Sequence, residues 1–147
     1  MYKLMCYAHS HWAYLVVLMT LVGFLYFLAR FFHRKELGER DRKLALFTLI
    51  SVHVQFLIGL ILYTLSPLVH NAFQHFGTAV KNPQLRLIAL EHPLAMVTAA
   101  VLVTLAYRKV KRQVQQRSPV TTGVVLLFLF TFLLILSRIP WHLWFSV

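Results

Sequence analysis

Four apolar runs, each about as long as a bilayer is thick, constrain this 147-residue chain more than any other feature of its sequence. A hydrocarbon core of about 30 Å takes roughly 20 helical residues at 1.5 Å each. Runs of that order occupy residues 8–32, 44–66, 84–107 and 120–139. None alternates polar and apolar residues with the two-residue period of a barrel strand, so each reads as a transmembrane α-helix. Short connections then make an all-α, up-down-up-down bundle of four transmembrane helices, one domain over residues 1–147, with span 1 diagonal to span 3. The expected surroundings are a lipid bilayer, because 59% hydrophobic and 13% charged residues leave too little polar surface for a water-soluble globule.

Local signals punctuate the runs. Gly38 interrupts the first connection, Asp41 stands where it can cap span 2, Ser66-Pro67 ends that span, and Ser118-Pro119 offers an N-cap and an N1 proline to span 4. The longest connection, Pro67 to Pro83, has room for a short surface helix. The run from Leu4 to Phe32 exceeds a signal-peptide core and its basic cluster follows it, so a retained first helix is expected.

A net charge of +11 can suggest nucleic acid, but the positive residues stand in short clusters beside apolar runs, which argues against it. Arg30, Arg34, Lys35, Arg40, Arg42 and Lys43 flank the first connection, and Arg108, Lys109, Lys111, Arg112 and Arg117 fill the third. The other side carries Lys3, Lys81, Arg86 and Arg138. By the positive-inside rule the two basic connections face the cytoplasm of a bacterial inner membrane, and both termini face the periplasm. Trp12, Tyr14, Trp141 and Trp144 read as a belt at that outer edge, and Tyr63 as a further bilayer-edge anchor.

Eight histidines against four acids is an unusual ratio for such a chain, since ionisable groups inside spans are costly. His33, His70 and His75 fall in connections and read as solvated. Counting 1.5 Å per residue from each span's middle puts His53 roughly 3 Å to the cytoplasmic side of the midplane, with His92 roughly 6 Å and His11 roughly 10 Å to the outer side. His9 and His142 fall at or beyond the outer edge. Two axial ligands of one iron lie at nearly equal depth, so His11 or His9 with His92, from diagonal helices, form the best candidate pair for a b-type haem. Arg86 and Arg138 stand where they can receive its propionates. Other readings stay open: His11 as an interfacial residue with His92 bonded to a neighbouring helix, or another metal. Copper at His9 and His11, with Met1, Met5, Cys6 and His142 near, suits the ligand types, although positions two apart on a helix do not converge.

His53 and Gln55 point about 200° apart, so one of them at most faces the bundle centre. His53 is a candidate second ligand, a quinone hydrogen-bond partner or an interhelical bond. Glu91 is the one acid inside a span; pairing with Arg138 is expected, with a ligand carboxylate as the alternative partner for that arginine. Pro93 lacks an N–H, so it should kink span 3 and free the carbonyl of Ala89, four residues earlier, to accept from elsewhere. No hydrolase, nucleotide-binding or zinc-protease motif is present, the single cysteine excludes an internal disulfide, and a C-x-x-C-H haem attachment is missing.

The strings HSHWAYL (9–15), DRKLALFTLISVHVQFLIGLILY (41–63), LRLIALEHPLAMV (85–97) and SRIPW (137–141) resemble a family of small bacterial four-helix membrane proteins labelled cytochrome B. That resemblance implies a haem-associated or respiratory role and makes His11, His53, His92 and Arg138 its site candidates. The leading expectation is a haem-b-binding inner-membrane protein in electron transfer, linked to a quinol. The alternative is a cofactor-free accessory or scaffold subunit of a larger membrane complex, with Gly23, Gly59, Ala99 and Ala100 as close-packing sites.

Overall fold

The structure, a computed structural model, describes residues 1–141, which leaves His142 and Trp144 outside the described residues. The described residues are mostly helical, and no strand is present among them. Helix α1 spans Tyr2–His33, α2 Glu39–Leu65, α3 Pro67–Gln74 and α4 Phe76–Ala79. Next come α5 (Pro83–Arg86), a π-helical turn (Leu87–Glu91) and α6 (His92–Gln115), followed by α7 (Thr122–Ser137). The segment from α5 to α6 is one continuous helix of 33 residues. That helix, α1 and α2 are each long and apolar enough to cross a membrane, which makes this a membrane protein with a bilayer as its natural surroundings. Expectation and structure part at α7: its 16 residues rise only about 24 Å at 1.5 Å each.

The shortening of α7 has a local cause. Ser118 and Pro119 do not start a helix. The chain turns through Arg117 in the left-handed region (φ 48°), Glu36 and Pro119 pair in an isolated bridge, and the Leu37 N–H donates to the Ser118 carbonyl at 3.1 Å. The two basic connections are thus joined to each other, and α7 begins only after Thr121.

The first connection works differently from its sequence reading too. Helix α1 stops at Arg34, also left-handed (φ 49°), and Gly38 is itself the N-cap of α2. Asp41 acts from the third helical position, where its Oδ2 accepts the Gly38 N–H at 2.7 Å. Tyr26 donates to the same carboxylate at 2.8 Å and Arg30 lies 3.0 Å from it, so this acid, only 3% exposed, is fully engaged. Ser66 ends α2 and precedes Pro67 at the start of α3, the short helix expected in the long connection.

The four longest helices touch in a ring: α1 packs on α2 and α7, and α6 packs on the same two, so α1 and α6 are diagonal. Near the basic end, Phe27 and Phe128 stack with centroids 4.7 Å apart, and Gly23 gives them room, since a Cβ there would lie 2.9 Å from the Phe128 ring. Val16, Val52, Ala99, Val103 and Ile135 fill the next section. Thr20, Thr48 and Thr131 are buried within this packing, and each hydroxyl returns to a carbonyl four residues earlier, which is how a polar side chain is satisfied away from water. Outward-facing side chains are as apolar as the core: Leu18, Phe47, Leu57, Leu94, Val101 and Phe130 are all exposed. Such a surface is stable in lipid and costly in water.

Packing adds to one expectation and corrects another. The Trp12 indole N–H donates 2.9 Å to the Ser51 carbonyl in the middle of α2, so this partly buried ring also ties α1 to α2. Gly23, Gly59, Ala99 and Ala100 press against the chain's own helices, so they offer no close-packing face to another subunit.

Candidate functional site

At the end opposite the basic connections, polar side chains from α1, α2, α6 and the end of α7 gather between the helices. Their placement begins with Pro93. The proline has no N–H for the Ala89 carbonyl, and the helix accommodates this by widening: the His92 N–H reaches five residues back to Leu87, closing the π turn. The Tyr63 hydroxyl then donates to the freed Ala89 carbonyl at 2.7 Å, the acceptor expected from sequence. Tyr63 is therefore an interhelical tie between α2 and the π turn.

The π turn sets the direction of His92. Its Nδ1 lies 2.8 Å from the Arg138 carbonyl, which can only accept, so Nδ1 carries the proton and Nε2 is left with a lone pair in the neutral ring. A backbone carbonyl fixing one imidazole nitrogen while the other is free is the usual way a ligating histidine is oriented. Across from it is His9 of α1, with ring centroids 6.2 Å apart and planes at 79°. His9 Nδ1 is buried without a hydrogen-bond partner among the described residues. The His9 ring packs against Gly59, where a Cβ would come within 2.9 Å of its Cε1.

Gln55 completes the enclosure. It is 7% exposed, its Nε2 donates 3.0 Å to the His9 carbonyl, and its Oε1 is buried with no partner among the described residues. His53, two positions away, points elsewhere: Nδ1 bonds the Leu49 carbonyl at 2.9 Å and Nε2 lies 3.4 Å from the Thr104 hydroxyl on α6. The expected divergence of these two side chains is what the structure has. Gln55 faces the interior, a role that sequence reasoning did not assign it; its signal was a lone amide inside an apolar run.

Glu91 holds the charges together. Its Oε1 accepts from Arg86 Nε at 2.7 Å and its Oε2 lies 3.7 Å from Arg138 Nε, so the expected pairing with Arg138 is present and Arg86 joins it. Both arginines had been expected to receive propionates. Both are instead already engaged by this carboxylate, and Arg86 also donates to the Val80 carbonyl at 3.1 Å. An incoming anion at this end has to compete with Glu91 for them.

His11 is corrected outright as the first-choice partner of His92. On an α-helix it points about 200° away from His9. Accordingly it is exposed, with Nδ1 bonded 2.8 Å to the Tyr7 carbonyl and its ring beside that of Tyr7. The copper arrangement at His9 and His11 fails for the same reason. Among the described residues no three His, Cys, Asp or Glu side chains group as a metal site.

A b-type haem supplies four equatorial nitrogens itself and asks the protein for at most two axial ligands, so the pair is the relevant test. Two imidazoles bound through metal–nitrogen bonds of roughly 2.0 Å place their ring centroids about 6 Å apart. The 6.2 Å separation of the His9 and His92 centroids matches that spacing, and the Arg138 carbonyl leaves Nε2 as the unprotonated nitrogen of His92, whereas His9 Nδ1 lies on the edge of its ring that packs against Gly59. No protein-family model, curated protein or solved structure matches the chain.

Proposed function

We propose that this chain is a haem-b-binding electron-transfer protein of the bacterial inner membrane, in which its four apolar helices cross the bilayer as a bundle. His9 and His92 would hold the iron, with Gln55 and Gly59 keeping His9 in place. The observation that carries the reading is the meeting of these imidazoles from diagonal helices at the separation one iron requires.

The haem would supply one-electron chemistry, and the protein's part is ligation, orientation and exclusion of water. The Arg138 carbonyl fixes Nδ1 of His92 as the protonated nitrogen, so Nε2 would be the one to bind the iron. Arg86 and Arg138 give this end positive charge beside the histidines, shared with Glu91, and propionate oxygens would draw on the same donors. In this reading the basic connections lie in the cytoplasm and the histidine pair belongs to the periplasmic half, where a quinol in the membrane and an acceptor outside it are both within reach.

The test is a reduced-minus-oxidised visible spectrum of the purified protein. An α band is expected in the parent and in His11→Ala, and its loss in His9→Ala and His92→Ala. A flat spectrum in the parent, or a band indifferent to His9 and His92, overturns the reading. The accessory-subunit alternative draws no support from Gly23, Gly59, Ala99 and Ala100, which pack within the chain.

A further inference from the structure

A second polar feature lies away from the histidine pair, on the outward side of the seam between α2 and α6. There a groove of about 390 Å³ is lined by apolar side chains, among them Phe56, Val97 and Val101, and by three polar ones: His53, Thr104 and Arg108. Val97 and Val101 are exposed, so the groove opens sideways, toward the hydrocarbon when the chain is in a bilayer. His53 lies on the middle turns of α2, and Arg108 is one helical turn beyond Thr104 toward the basic end.

The hydrogen bonding of His53 leaves an acceptor without a proper donor. Nδ1 faces the Leu49 carbonyl and so carries the proton, which makes Nε2 the acceptor of a neutral ring. Its neighbour is the Thr104 hydroxyl at 3.4 Å, but that hydroxyl has one hydrogen and a much closer acceptor in the Ala100 carbonyl at 2.7 Å. An acceptor unsatisfied at bilayer depth is costly, and water is scarce there. A donor arriving from the membrane relieves that cost.

We propose that this groove is a lateral binding site for an isoprenoid quinol, with a phenolic hydroxyl donating to His53 Nε2. A flat ring can lie in this open groove against Phe56, and an isoprenoid tail remains in lipid through the open side. Arg108, which also lines the groove and carries donors only, would serve the ring's other oxygen substituents. Phospholipid acyl chains fill such a groove without satisfying the imidazole. Along α2, His53 is about 9 Å from Gly59, the residue against His9. Use of the quinol as an electron donor to a haem held by His9 and His92 rests on the haem reading; binding of the quinol does not.

The test uses the full chain in phosphatidylcholine nanodiscs with radiolabelled decylubiquinol kept reduced, and empty discs as the partition control. Saturable binding of one quinol per chain is expected. His53→Phe and Val101→Trp, the second filling the groove from its exposed wall without touching the polar pair, should each weaken it tenfold or more. The dimethyl ether of the quinol, which has no donor, should bind as weakly as the variants are bound by the quinol. Uptake equal to empty discs, undiminished affinity in Val101→Trp, equal binding of the ether, or equally effective competition by dioleoylglycerol would each overturn the proposal. Saturable quinol binding by a protein with a flat difference spectrum would remove the haem and leave this site standing.

Discussion

The Tyr63 hydroxyl donates a 2.7 Å hydrogen bond to the carbonyl of Ala89, the acceptor that Pro93 leaves without its helical partner. One helix thereby repairs a defect in another, and the repair lies immediately beside His92.

Tyr63→Phe should therefore cost about 1–2 kcal/mol, the range for an acceptor left unsatisfied away from water. In a Pro93→Ala background residue 93 has an N–H of its own, and the same substitution should cost roughly 0.5–1 kcal/mol less. Unfolding in mixed micelles with increasing dodecyl sulfate measures both. Equal costs in the two backgrounds would mean that the hydroxyl does not serve the proline.

Asp41 is buried and accepts from a backbone N–H and a tyrosine while pairing with Arg30. Removing it leaves the guanidinium without its counter-charge, so Asp41→Ala should destabilise by about 3–5 kcal/mol in the same unfolding assay. Glu39, in an exposed pair with Arg42, should tolerate replacement by alanine without a measurable change.

Gly23→Ala sets a methyl group 2.9 Å from the Phe128 ring, inside a stacked pair with no slack. Overpacking of this kind costs about 1–3 kcal/mol, and Phe128→Leu should recover part of it. Gly77→Ala, with open space around it, is the control and should be neutral.

Gly59→Ala acts on the histidine pair without removing either imidazole. The added carbon meets His9 Cε1 at 2.9 Å, so the ring must turn or α1 must move. An α band present in the parent should weaken or shift in this variant while far-ultraviolet circular dichroism stays the same. An unaltered band would show that His9 is not where the iron is held.

The orientation is open to direct labelling. In a Cys6→Ser background, a membrane-impermeant maleimide applied to intact bacterial cells should react with Gly77→Cys, and with Gln116→Cys only after permeabilisation. The reverse pattern would invert the protein in the membrane.

Local physics was legible in the sequence. Apolar run length sufficed for the presence of α1, α2 and the 83–115 helix, because the hydrocarbon core sets one minimum length for every span. The rule that proline removes one donor and strands the carbonyl four residues back pointed to Ala89 before its partner was known. The acid at position 91 implied a cation nearby, since a lone charge in a span is expensive.

Tertiary structure decided how each helix is rotated. In a water-soluble helix the apolar stripe marks the buried face, but here the lipid-facing side is as apolar as the core, so the pattern does not separate His9 from His11 or place Trp12 between α1 and α2. The same indeterminacy hid the interior position of Gln55 and the recruitment of Arg86 by Glu91. It also hid the contact between the two basic connections, because the Glu36–Pro119 bridge joins backbone segments that are distant along the chain and share no side-chain signal. Sequence alone determined that helices of these lengths must exist and which local groups needed partners; packing alone selected the partners, because only contact between helices fixes rotation about their axes.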